Sequence, residues 1–166
     1  MKKIVLVCLL LISGCGFSPL YLTNGRETTQ LTAQIDIAPI ADYDGYLMAN
    51  YLSDALNPDK ISVNKTYELK VSLDAPSISE QNIQDDNFSS RERMTLTARY
   101  QLINKKTNDR VIDSRTSATG AYNIALEPYA TWSAKQKVKE NLIKMLSERI
   151  TIHVISFVKK EVENEG

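Results

Sequence analysis

The sequence predicts an α+β domain, a four-stranded mixed sheet with two helices packed on one face, in the order β-α-β-β-β-α. Three observations carry this. Met94, Leu96, Ala98, Tyr100 and Leu102 alternate with Arg93, Thr95, Thr97, Arg99 and Gln101, the period-2 pattern of a strand with one buried and one wet face. Two stretches place apolar residues at helical spacing, one early and one at the C-terminal end. Shorter alternating runs precede the first of these stretches and flank the clean strand.

The elements follow in chain order. Lys2 and Lys3 precede an unbroken apolar run from Ile4 to Ile12, then Ser13-Gly14-Cys15. A basic start, a short apolar segment and small residues before a cleavage point make a secretory signal peptide, and the run is far shorter than the ~20 residues of a spanning helix. An aliphatic residue, two small residues and a cysteine form a lipobox. Residues 1–14 therefore read as a lipoprotein signal peptide, and Cys15 as the lipidation site, carrying N-acyl and S-diacylglycerol groups. Two or three acyl chains make such an anchor effectively permanent, where one alone is marginal. Gly16 follows the cysteine in place of an aspartate, which addresses the protein to the outer membrane.

Residues 15–31 read as an acylated tether and 32–166 as a single domain. Phe17, Leu20 and Tyr21 are odd in a pure linker and either sit at the membrane interface or dock on protein. Gln34 to Ala38 alternates and is stopped by Pro39, giving the first strand. Asp44 is placed to cap a helix from Gly45 to Leu56, whose Leu47, Met48, Tyr51, Leu52 and Ala55 share one face. Asn57-Pro58 ends it. Tyr67, Leu69, Val71 and Leu73 form the second strand, and Ser77 to Ser90 reads as a long polar loop. The clean strand follows, then a turn over Asn104 to Asp109 and a return strand from Val111 to Tyr122. That strand is weak, with Ser114, Thr116, Ala118 and Gly120 where a core would want bulk; small residues permit close approach of something packed over them. The last helix starts near Tyr129, with Pro128 suited to a first turn. Its stripe is Val138, Leu142, Met145, Leu146, Ile150, Val154, Phe157 and Val158.

Composition excludes several function classes. Lys and Arg number 20 against 20 Asp and Glu, which gives no electrostatic reason to expect nucleic acid. Of two cysteines, Cys8 lies in the leader and Cys15 takes lipid, so no thiol is left for a disulfide, a metal or a nucleophile. His153 is the single histidine, which argues against multi-histidine metal sites and nucleophile–histidine dyads. Asp85-Asp86 lacks the spacing and closing glutamate of a calcium loop. The six glycines form no phosphate loop. These absences point to a non-enzymatic protein without a cofactor.

The whole pattern resembles LptE, the lipopolysaccharide-assembly lipoprotein family, in its alphaproteobacterial form. The opening Cys15-Gly16-Phe17-Ser18-Pro19-Leu20-Tyr21 is similar to that family's start. Tyr67-Glu68-Leu69-Lys70-Val71, Ala98-Arg99-Tyr100-Gln101-Leu102 and Ala121-Tyr122-Asn123 resemble its later strands and the turn before its last helix. The last helix departs from the family in having Lys and Val where alanine is common. The resemblance implies a lipid-anchored protein on the periplasmic side of the outer membrane. It would plug the LptD β-barrel, assist its assembly and help deliver lipopolysaccharide to the outer leaflet. It also implies lipopolysaccharide as a ligand. Because guanidinium and ammonium groups recognise phosphate, the candidate contacts are Arg91, Arg93, Lys135, Lys137 and Lys139; the competing reading is solvated surface charge. The alternative function is a free-standing lipoprotein that binds a small ligand or peptidoglycan.

Overall fold

A computed structural model describes residues 25–83 and 89–165. The signal peptide, the lipobox with Cys15, the segment from Phe17 to Tyr21, and Asp85-Asp86 lie outside these residues. The elements are α1 (Gly25–Thr32), β1 (Ile35–Ile37), α2 (Asp42–Leu56), β2 (Tyr67–Leu73), β3 (Ser77–Ile83), β4 (Ser89–Asn104), β5 (Arg110–Asn123) and α3 (Pro128–Glu165). The α+β class and the mixed sheet with packed helices are as predicted.

Strand β4 organises the sheet. Strand β5 pairs antiparallel along most of its length, from Arg91 opposite Asn123 to Leu102 opposite Ile112, with an irregularity between Leu102 and Ile103. Along its other edge, β2 pairs with the second half, Leu73 opposite Ala98. Strand β3 pairs with the first half, Ser77 opposite Thr95 and Ile83 opposite Ser89. Strands β2 and β3 thus occupy one lane, interrupted at Asp74–Pro76, where proline cannot donate to a ladder. Strand β1 adds in parallel outside β2. The four predicted lanes are present, built from five strands.

The segment predicted as a polar loop, Ser77 to Ser90, is a correction: most of it is strand, in β3 and the start of β4. Its sequence hid this because β3 lies beyond the helix layer. Ile78 faces the same side as buried Met94, its partner in register, yet remains exposed. With both faces wet, a strand carries no hydropathy period. The segment before Thr32 also contains structure: α1 forms one short helix, buries Thr32, and packs Leu31 against the core.

The core lies between sheet and helices. Leu69 and Val71 of β2, Met94, Leu96, Ala98, Tyr100 and Leu102 of β4, and Ile112, Ala118 and Tyr122 of β5 point toward Met48, Leu52 and Leu56 of α2 and a long face of α3. That face is wider than the predicted stripe. Ile143, Ser147, Thr151 and Ile155 are buried as well, whereas Met145 is exposed. Helix α3 touches β4 and β5 on one side and α2 and α1 on others, so it is covered over two faces.

The small residues of β5 have the predicted consequence. A Cβ on Gly120 would lie 2.9 Å from Val138 Cγ1 and 3.5 Å from Leu142 Cδ2; α3 rests on the gap. Gly45 is a second such contact, with Ile40 Cγ2 2.7 Å from a built Cβ. Helix α2 begins at Asp42 rather than Gly45, after Ala41, with no side-chain cap. Asp44 instead holds Lys139 of α3 at 2.9 Å. The free edge of β5 is touched by Arg149, whose guanidinium donates to the Ser117 carbonyl.

Candidate functional site

Two of the five predicted basic residues come together where β4 begins and α3 starts. Arg91 stands opposite Asn123 at the end of β5. The chain then turns through Ile124 to Glu127 and enters α3 at Pro128, whose missing N–H is harmless at a first helical position. The turn is fixed by Thr131. Its hydroxyl accepts from the Ala125 N–H at 2.9 Å and donates to the Ala125 carbonyl at 3.2 Å. Ala130, Ala134, Lys137 and Val138 follow at helical spacing on one face of α3. With Arg91, Ala121, Tyr122, Asn123 and Ala125 they enclose an open hollow of about 600 Å³. The space exists because its walls are alanines.

The hollow therefore has a small apolar floor and two cations. Arg91 offers a planar fork for a phosphate, and Lys137, well exposed and 3.9 Å from Glu140, offers a mobile point charge. Tyr122, in the floor, is buried and donates its hydroxyl to Glu92, its partner in register. Burial, then the Glu92 hydrogen bond and charge, push the Tyr122 phenol up to about 12. Glu92 is thus tied to Tyr122 and stands beside Arg91 in sequence. What the site can do is hold an anionic group over a greasy surface.

The other three candidates are elsewhere. Arg93 lies on the same outward face of β4 as Arg91 but does not line the hollow; its Nε lies 3.0 Å from the Gln81 amide oxygen in the amide orientation that satisfies both groups. Lys139 is committed to Asp44 between the two helices. Lys135 is two residues from Lys137, roughly 200° round the helix axis, and faces away from the hollow. Sequence reasoning missed Ala121, Tyr122, Asn123, Ala130 and Ala134. Ala121-Tyr122-Asn123 was legible only as a family-like run before the last helix, and the alanines four apart do not stand out until β5 is placed beneath them.

The remaining singled-out residues make ring contacts away from the hollow. Tyr100 is buried and its hydroxyl meets His153 Nδ1 at 2.7 Å, with the rings edge to face. Trp132 stacks on Tyr129 at 5.9 Å. A second hollow, of about 520 Å³, lies at the start of α2 between Ile40, Asp44, Val71, Leu73 and Leu96. Among the described residues no three His, Cys, Asp or Glu side chains gather as metal ligands. Among the same residues, no helix is long and apolar enough to cross a membrane.

The fold is similar to that of solved bacterial lipoproteins. One, from Caulobacter crescentus, matches over 81% of this chain and 97% of its own, with a TM-score of 0.62 and 21% identity. Rare lipoprotein B from Shewanella oneidensis matches over 80% and 98%, at TM-score 0.59 and 11% identity. Lipoprotein B from Nitrosomonas europaea matches over 78% and 86%, at TM-score 0.59 and 9% identity. No protein-family model and no curated protein sequence matches the chain. At these identities the likeness is one of fold.

Proposed function

We propose that this protein is a non-enzymatic outer-membrane lipoprotein that plugs an LptD-type β-barrel, assists its assembly, and helps deliver lipopolysaccharide to the outer leaflet. The observation that carries the reading is the hollow at the start of α3. Two cations, Arg91 and Lys137, share it with an apolar floor, the combination that suits a phosphorylated amphiphile such as lipid A. The polar outer sheet face supports a plug. Arg93, Thr95, Thr97, Arg99 and Gln101 point outward from β4, while their neighbours in sequence are buried, and such a face fits a hydrophilic lumen. The lipobox and the sequence resemblance to LptE supply the compartment and the barrel.

The test is to purify the acylated protein from its own membrane in mild detergent and identify what accompanies it. A stoichiometric large β-barrel is the expected result. A monomer without a barrel, repeated after crosslinking, would sink the reading and favour a free-standing lipoprotein with a small ligand. The site is tested separately with purified lipopolysaccharide. Arg91→Gln and Lys137→Gln should each weaken binding by roughly tenfold, the value of one charge-assisted contact, while Lys139→Gln should not.

A further inference from the structure

We infer that the start of α3 is a tip that inserts into the headgroup region of an anionic lipid surface. Leu126 is 103% exposed, Tyr129 76% and Trp132 56%. These are large apolar side chains within seven positions of one another, two of them joined by the Tyr129–Trp132 stack. They are held out rather than loose. The two hydrogen bonds between Thr131 and Ala125 fix the turn carrying Leu126, and the Ala130 and Thr131 N–H groups both donate to the Glu127 carbonyl. A rigid convex wedge of leucine, tyrosine and tryptophan suits a deformable interface, where amphipathic aromatic rings sit at headgroup depth.

The surrounding charge selects the lipid. Lys135 lies three residues beyond Trp132, on the same side of the helix, and pairs with no carboxylate among the described residues. Arg91 and Lys137 stand on the other side of the same tip, at the hollow. Cations thus flank the wedge on both sides, complementary to anionic headgroups. The contact is separate from the hollow, because Tyr129 and Trp132 face away from Ala130 and Ala134.

Trp132 is the only tryptophan in the chain, so its fluorescence reads the tip alone. The full-length protein is mixed with vesicles of phosphatidylethanolamine and phosphatidylglycerol whose acyl chains are brominated. The expected result is a blue shift and quenching of Trp132, stronger with phosphatidylglycerol than with phosphatidylcholine vesicles. Leu126→Ser and Tyr129→Ser should each weaken the tip contact by roughly tenfold, the value of one apolar side chain left in water. Leu126→Ser alone keeps the test valid should Tyr129→Ser disturb the ring stack. Lys135→Gln should reduce the preference for phosphatidylglycerol. Unquenched Trp132 overturns the inference even if the protein sediments with the vesicles through its anchor. So does quenching that Leu126→Ser leaves unchanged. The mass of Cys15 and its modifications, measured on the same sample, decides the lipoprotein reading independently.

Discussion

Tyr122 retains its proton to a higher pH in the folded protein than an ordinary phenol does. It is neutral when protonated, and burial beside Glu92 moves it from 10.0 to about 12. Through that window the unfolded chain releases a proton that the folded chain keeps. The stability it contributes is therefore complete below the ordinary phenol value and is lost as pH rises toward the folded one. Thermal unfolding across this range should show a falling Tm in the wild type and a flatter dependence in Tyr122→Phe. Thr151 presents a different residue-scale imbalance. Its buried Oγ1 has no hydrogen-bond partner among the described residues. Replacing the hydroxyl by a methyl of the same shape removes an unmet desolvation cost, so Thr151→Val should stabilise by about 1 kcal/mol in urea unfolding.

At the scale of elements, the contact of α3 with β5 depends on missing atoms. Gly120→Val would place branched carbons where Val138 already stands 2.9 Å from a first Cβ. It should destabilise by about 1–3 kcal/mol, as overpacking does, measurable as a lower urea midpoint with an unchanged slope. The two helices are joined by a more modest device. Lys139 and Asp44 meet at 2.9 Å with both side chains only partly exposed. A double-mutant cycle with Lys139→Met and Asp44→Asn should return a coupling of about 0.2–1 kcal/mol that shrinks with added salt. The pair also shows why a lysine run at helical spacing is a poor guide to a binding surface. Lys135, Lys137 and Lys139 differ by two positions, so each points to a different neighbour.

For the whole molecule, the long helix defines a direction. Helix α3 begins beyond the level at which α2 starts, since Lys139, well inside α3, meets Asp44 near the first turn of α2. The first turns of α3 therefore project past the other helix, and the hollow and the exposed aromatic pair both occur there. The opposite end carries the hairpin between β4 and β5 and the entry to β1, because Tyr67 and Ile35 are level with Asn104. The candidate site and the exposed aromatic pair thus share one projecting end. This geometry is what the barrel, lipopolysaccharide and vesicle experiments interrogate.

The layers were legible in the chain alone. The alternation through β4 set which face is buried, the small residues of β5 foretold a close helix, and the apolar stripes placed α2 and α3, because one-sided burial writes its period into the chain. The lipobox was legible there too, as a local chemical pattern. Only the tertiary structure decided the rest. Strand β3 is invisible to periodicity because no helix covers it, and the second buried face of α3 follows from α2 and α1 lying against it. Arg91 and Lys137 are 46 positions apart and join only because β4 and α3 run side by side. Arg93 and Lys139 carry the same charge and lie as near in sequence, but Arg93, on the same strand face as Arg91, meets Gln81, and Lys139, roughly 200° round the helix from Lys137, meets Asp44. Membership in a site is therefore set by packing, which no single stretch of this chain encodes.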